Sequence, residues 1–549
     1  MRILGAAGSL FFFAAATLTA QHDHGKALAP PEIRHDLGNH HHAIATKSPE
    51  AQQFFDQGLI LLYGFNHDEA ARYFRRAAEL DPASPMPWWG LALSIGPNYN
   101  DTAVDENRAK ATYEAVQNAL RRATNGTSIE QDYVRALAKR CATPDPKADW
   151  KKMHLDYSNA MRELVAKYPD DLDAAVLFAE SLMMLRPWQL WTQDGKPAPG
   201  TPELVAVLES VLKRDPNHPA ANHFYIHAVE ASPNLERAIP SAVRLRTLVP
   251  AAGHLVHMPG HIYLQTGDYD LAADTNVEAV AADRDFVKRT GATGMYPLMY
   301  GTHNIHFVSY ARAQQGRYED AKRAAREMIE QVGDADLAPG MQMGEGFHLY
   351  PLMVDLRFHR WDEILAAPDP GEKRKVLGAF AKYARAMALA RKGRMKEAIA
   401  AQVQFEKTRK ALSPDLLYMI NNKASDLLAL CSATLEAELA RARGDKAEST
   451  RLWRRAVEAE GAIQYDEPPA WFYPVKQSLG GALLRNGQAK EAEAVFRESL
   501  ATRPRDGRLL FGLWQSLVAQ KRDPEAALVQ KQFEEAWKGA TSKLTVEDL

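Results

Sequence analysis

The stretch Gly58-Leu-Ile-Leu-Leu-Tyr-Gly-Phe-Asn-His-Asp-Glu-Ala-Ala-Arg-Tyr-Phe-Arg-Arg-Ala-Ala-Glu-Leu-Asp-Pro82 carries the pattern that decides the fold. Its apolar residues recur at three- and four-residue spacing, the period of a helical face. Gly58, Ala70 and Ala77 are small, so paired helices can approach closely, and Phe74 is the aromatic that fills the gap between them. Pro82 has no backbone N–H and ends the second helix. One helix, a short turn and a second helix make the unit. Looser copies follow at Gly260, Tyr263, Gly267, Tyr269, Ala272 and Ala279, at Gly316, Tyr318 and Ala321, and at Gly393, Met395 and Ala398. A good copy returns near the C-terminus with Gly480, Gly487, Ala492, Phe496 and Pro504. No persuasive alternating pattern of a strand is present.

The histidines repeat with the same unit. His223 and His257 are 34 residues apart, and so are His227 and His261. Both pairs read His-x-x-x-His. His303 and His306 echo His254 and His257. A period of 34 is that of a helix-turn-helix repeat array.

This spacing resembles the tetratricopeptide repeat, with small residues at its eighth, twentieth and twenty-seventh positions, an aromatic at the twenty-fourth and proline at the thirty-second. The resemblance covers most of residues 51–535 and is degenerate near 100–150, 185–200 and 335–375. His257-Met-Pro-Gly-His261 is similar to a His-Met-Pro-x-His segment of exported bacterial members. The resemblance implies an all-α, right-handed α-solenoid of about ten helical pairs, with an interaction scaffold as its default role. Loops such as Gly195–Gly200 and Leu337–Gly340 are expected to project and to cover its groove.

In the repeat register His223, His257 and His306 take the fifth position. His227 and His261 take the ninth, where the third copy has Tyr310, and His254 and His303 take the second. At 3.6 residues per turn these positions lie within roughly 60° of one another, away from the packing stripe. The resemblance implies that they line a concave groove with Glu230, at the twelfth position. The step from His257 to His306 is 49 residues, so an insertion near Ala282–Pro297 must be absorbed before His303.

Helices packed about 8–10 Å apart let imidazoles on neighbouring helices converge on one ion. The expected metal ligands are therefore His223, His227, His254, His257, His261, His303 and His306. Neutral imidazole suits zinc or copper, and iron as well. Met258, Met295, Met299, Met341, Met343 and Met353 would favour Cu(I), although methionines more often fill irregular cores. The absence of His-Glu-x-x-His disfavours a zincin protease. Glu230 is a candidate ligand or general base, and Tyr310, a phenol in a histidine slot, the other candidate catalytic group. His348 could enter the groove, whereas His67 reads as a helix-start packing residue. Metal-dependent catalysis and metal handling both remain open. The competing reading is a metal-free scaffold taking a peptide, protein or small molecule in the groove.

Composition narrows the partners. A net charge of −2 argues against a sequence-blind nucleic-acid surface. Met1–Ala20 reads as an export signal, placing the mature chain in the periplasm or outside the cell, with no membrane span. Residues 21–48 read as a flexible His-rich tail carrying His22, His24, His35, His40, His41 and His42. Repeats are expected over 49–216, over the His-rich 217–360 and over 361–540. Cys141 and Cys431 form no motif, and their pairing is open.

Overall fold

A computed structural model describes residues 28–338, 344–419 and 421–549. The expected export signal lies outside them. The chain divides into two compact units. Unit 1 runs to Thr192 and includes Lys196–Ala228; unit 2 comprises Gln193–Gly195 and Val229–Leu549.

Unit 1 contains α1 (Pro49–Tyr63), α2 (His67–Leu80), α3 (Met86–Ile95), α4 (Glu106–Arg122), α5 (Ser128–Arg140), α6 (Trp150–Lys167), α7 (Leu172–Met183), α8 (Thr201–Arg214) and α9 (Pro219–Val229), the last ending at the unit boundary. From α1 to α8 each helix packs on the next in sequence. Their starts are written locally. The side chains of Ser48, Asp105, Asp149 and Asp171 accept from first-turn amides, and Thr127 with Glu130 forms a capping box. The small-aromatic-small rule is visible in space. The buried Phe74 ring lies against both Gly58 on α1 and Gly90 on α3, and a Cβ at Gly90 would overlap it.

Unit 2 contains α10 (Ile239–Leu248), α11 (Gly253–His257), α12 (Pro259–Thr266), α13 (Tyr269–Thr290), α14 (Gly301–Gln314), α15 (Tyr318–Val332), α16 (Glu345–Arg357), α17 (Trp361–Ala366), α18 (Lys375–Arg391) and α19 (Met395–Ala411). It continues with α20 (Ala424–Ala442), α21 (Lys446–Glu460), α22 (Lys476–Arg485), α23 (Ala489–Leu500), α24 (Gly507–Ala519) and α25 (Asp523–Ala536). Phe496 repeats the role of Phe74, wedged against Gly480 and Gly512. Gly267 closes α12 at φ +78°, a left-handed turn that a side chain would strain. Both units are helix pairs stacked in sequence order, an all-α solenoid. Among the described residues the sheet is one short antiparallel hairpin, Leu417–Tyr418 with Asn422–Lys423, paired as Leu417↔Lys423 and Tyr418↔Asn422.

The insertion before His303 lengthens α13 to 22 residues and adds a π-helical turn at Tyr296–Tyr300. That turn leads straight into α14, which carries His303 and His306.

One expectation is overturned. The described part of the supposed tail, residues 28–48, is tied to unit 1. His40 Nε2 and His42 Nδ1 contact the buried Asp173 carboxylate at 3.0 and 2.9 Å. The backbone of Arg34 exchanges two hydrogen bonds with the Gln57 amide. Leu37 is buried. The low apolar content that suggested a tail is offset here by imidazole–carboxylate pairing, which composition does not show. Cys141 and Cys431 are buried free thiols.

Candidate metal centre

The centre of unit 2 is built from α11, α12, α13, α14 and the connector between α21 and α22. His257 ends α11 and His261 lies in the first turn of α12. Pro259 brings no amide proton, so the helix is interrupted at Met258, yet the backbone there stays right-handed helical (φ −52°, ψ −36°). A spacing of four therefore still stacks the two rings on one side. Their Nε2 atoms stand 2.6 Å apart. His303 of α14 completes the group, its ring centroid 4.9 Å from that of His257 and 6.0 Å from that of His261. Ligand nitrogens of the three lie within 4.8 Å of one another.

The far side of each ring is held by an acceptor. His257 Nδ1 is 2.6 Å from Asn276 Oδ1, and Asn276 donates its own amide to the Ala272 carbonyl, which fixes its orientation. His261 Nδ1 is 2.5 Å from Glu230 and also contacts Glu467. Both Nδ1 atoms therefore carry hydrogen, and both Nε2 atoms turn toward each other as bases. Two such lone pairs at that distance repel unless a cation lies between them. The cation is a proton or a metal ion. Imidazole ligands bound through one nitrogen and oriented by carboxylate or amide acceptors on the other are the usual supporting arrangement of a metal site.

With no ion bound, the electrostatics favour the proton on His261. Burial opposes protonation of His261, but Glu467 and Glu230 outweigh it and raise the group to about 10. Burial, and then His257, hold His303 well below the ordinary imidazole range. Burial, and then Glu230, raise Glu467. One side chain is held cationic and its neighbour neutral inside one cluster.

His254 flanks the group, its ring 5.5 Å from His257 and 5.0 Å from Tyr300. The Tyr296 hydroxyl accepts from the His254 amide and donates to Asp283, a carboxyl that burial pushes up to about 7. His306 points elsewhere. It packs on Tyr350 at 3.9 Å between ring centroids, and burial pushes it down to about 3. His348 faces Asp336 at 3.4 Å. Tyr310 is buried and its hydroxyl accepts from Arg503 Nη1 at 3.0 Å. It lines a cavity of about 260 Å³ with His261, Glu467, Trp471, Glu460 and Arg503.

His223 and His227 belong to α9 and unit 1. Their rings are 4.9 Å apart, and His223 Nδ1 donates to the Tyr63 carbonyl at 2.6 Å. Phe65, Tyr99 and Trp188 surround His227 with ring centroids 5.6–5.9 Å away.

The histidines were expected to line a concave groove that projecting loops cover. His223, His254, His257, His261 and His306 are buried. In unit 2 the connector between α21 and α22 accounts for much of this, since Tyr465, Glu467 and Trp471 share the cavity wall with His261. Gln193 reaches this connector and donates to the Ile463 carbonyl at 3.2 Å, while Gly340 of the other expected covering loop lies outside the described residues. Sequence reasoning missed Glu467, Asn276 and Asp283. Asn276 and Asp283 lie on α13, outside the register that drew attention to histidine. Glu467 lies in a loop with no repeat register, and its only signal is the run Asp466-Glu467-Pro468-Pro469.

Comparison with known proteins agrees with the fold. Residues 478–540, spanning most of α22 to α25, match the family model of the tetratricopeptide repeat. The family is thus matched over residues 478–540, and the register at Gly58–Pro82 resembles it. A search of curated proteins gives no match. Among solved structures, the APC/C hetero-tetramer Cut9-Hcn1 is 13% identical, with 85% of this chain and 76% of that chain covered at a TM-score of 0.29. The human IFIT1 dimer with m7Gppp-AAAA is 11% identical, with 90% and 91% covered at 0.30. Naa15/Naa10 bound to HypK-THB is 13% identical, with 89% and 74% covered at 0.23. Scores this low do not reach to what those proteins bind. Among the described residues no helix is long and apolar enough to cross a membrane.

Proposed function

We propose that unit 2 holds a transition-metal ion on His257, His261 and His303, with Glu230 and Glu467 beside it, for metal-dependent catalysis or metal handling in an exported tetratricopeptide-repeat protein. The observation that carries this is the pair of facing Nε2 atoms, whose Nδ1 positions are already committed to Asn276 and Glu230. Zinc and copper suit the imidazole donors, and iron fits them as well. Metal–nitrogen bonds of about 2.0–2.1 Å place two ligands about 3.4 Å apart in a tetrahedral site, so the pair opens slightly to admit an ion. The His254 ring flanks this cluster, 5.5 Å from that of His257. His223 and His227 form a second imidazole pair in unit 1, which the same experiment reads.

A bound ion supplies Lewis acidity or redox chemistry. The chain supplies the rest. Glu230 and Glu467 orient His261 and can take a proton at a carboxylate oxygen. Tyr310 and Arg503 present a hydroxyl and a guanidinium to the cavity beside them. The cavity has room for a small molecule.

The second reading is a metal-free scaffold. Tetratricopeptide-repeat proteins generally bind protein partners, and a proton between His257 and His261 would satisfy the pair without metal. Elemental analysis of the untagged chain, residues 28–48 included, separates the two. Near-stoichiometric metal that is lost in a folded His257→Ala/His261→Ala variant supports the first. No retained metal after loading and dialysis sinks it.

A further inference from the structure

α13 meets α11 and α12 through two polar side chains and two glycines. Asn276 and Asp283 are seven residues apart on α13, close to two full turns, so they share one face. Gly253 and Gly260, also seven apart, face them from α11 and α12. A Cβ at Gly253 would overlap the Asp283 carboxylate, and one at Gly260 would overlap the Asn276 amide nitrogen. Each polar head therefore fills the room that an absent side chain leaves. Asn276 uses that room to hold His257.

Asp283 reaches two further elements. It is only 5% exposed and gathers two donors. Its Oδ1 accepts from the Tyr296 hydroxyl at 3.0 Å and its Oδ2 from Asn304 Nδ2 at 2.7 Å. The Tyr296 hydroxyl accepts in turn from the His254 amide of α11 at 3.3 Å. Asn304 follows His303 on α14, turned about 100° from it around the helix. One carboxylate thus ties α11, which ends in His257, to α14, which carries His303. No cationic side chain pairs with Asp283 among the described residues. A buried carboxylate without a cation is costly. The converging donors offset that cost, and they need two acceptor oxygens where an amide offers one.

We infer that Asp283 is the positioning residue of the histidine centre, holding His303 at the spacing that lets it join the His257–His261 pair on one ion. This role rests on the metal reading of that centre. The ring of His303 stands 4.9 Å from that of His257, and the helices that carry them meet at this carboxylate. Asp283 acts through the placement of α14 and not as a donor to the ion.

The test is titration of the full chain with Co(II), read by its visible absorption, which reports coordination geometry. The wild-type chain is expected to bind a Co(II) that the His257→Ala/His261→Ala variant loses. Asp283→Asn keeps the volume and offers one acceptor in place of two. It should weaken that Co(II) about ten-fold or more and change its spectrum, as His303→Ala should. The double variant Asp283→Asn/His303→Ala should bind within about two-fold of His303→Ala alone, because the carboxylate acts through that histidine. A general loosening of the fold would instead make the two losses add. Circular dichroism checks the fold. Should Asp283→Asn fail to fold, Tyr296→Phe, which keeps the ring and removes the bridging hydroxyl, must weaken Co(II) several-fold. Unchanged affinity in a folded variant, or additive losses in the double variant, overturns the role and leaves the metal reading intact. A wild-type chain with no Co(II) that depends on His257 and His261 sinks the metal reading, and this role falls with it.

Discussion

His257 and His261 face each other through Nε2 at 2.6 Å while Asn276 and Glu230 hold their other nitrogens. This leaves one position for a cation, and a metal ion entering it displaces the proton already there. Metal binding should therefore release at least one proton near neutral pH. Calorimetry in two buffers of different ionisation enthalpy measures this. Affinity should also fall as pH drops through the histidine range, because protons compete for the same nitrogens. Retention unchanged between about pH 7.5 and 5 argues against histidine ligation.

Glu467 contacts the same nitrogen of His261 that Glu230 does. Glu467→Gln keeps the volume and removes the charge. Loss of an outer carboxylate typically weakens metal affinity about 10–100-fold. Competition with a chromogenic chelator reads that change, and an unchanged affinity would leave Glu467 a packing residue only.

Residues 28–48 are held to unit 1 by charge, so their docking depends on pH. His42 is raised from 6.5 to about 9, burial opposing and Asp173 overcoming it. A raised histidine stabilises fully below its unfolded value and loses that contribution as pH climbs through the folded one. The contact is thus strongest below about pH 6.5 and fades toward pH 9, for a difference of up to about 3 kcal/mol. Burial raises Asp173, but His40 and its companions bring it well below 3.8, so its contribution is lost only in strong acid. Trypsin cleavage at Arg34 and Lys47 should accelerate from pH 6 to 9, and Asp173→Asn should be cut quickly at both. A pH-independent rate in the native chain would exclude this latch.

Phe74 and Phe496 occupy equivalent places in the two units. Gly90→Ala and Gly512→Ala each push a Cβ into one of these rings. Each should cost about 1–3 kcal/mol, as overpacking does. Phe74→Ala and Phe496→Ala should cost more, about 3–5 kcal/mol. Denaturant unfolding measures all four, and a neutral Gly512→Ala would mean that α22, α23 and α24 pack more loosely than this geometry requires.

Much of the fold was legible at Gly58, Ala70, Phe74, Ala77 and Pro82, because close helix packing admits few residue types at the crossing points. The histidine pairs were legible for a related reason, since a four-residue step and a 34-residue period both survive the break at Pro259. Packing against Tyr350 turned His306 from the trio, which register alone does not reveal. The anchoring of His40 and His42 on Asp173 was equally hidden, as the partner lies about 130 residues away.

Sequence by itself determined the helical repeat and the identity of the imidazoles, because local period and side-chain size are properties of neighbours along the chain. Tertiary structure decided that those imidazoles are buried, that Asn276, Glu230 and Glu467 orient them, and that Asp283 joins the helices that carry them. Those outcomes depend on contacts between segments tens to hundreds of residues apart, where burial strengthens electrostatic interactions and no linear spacing records who meets whom.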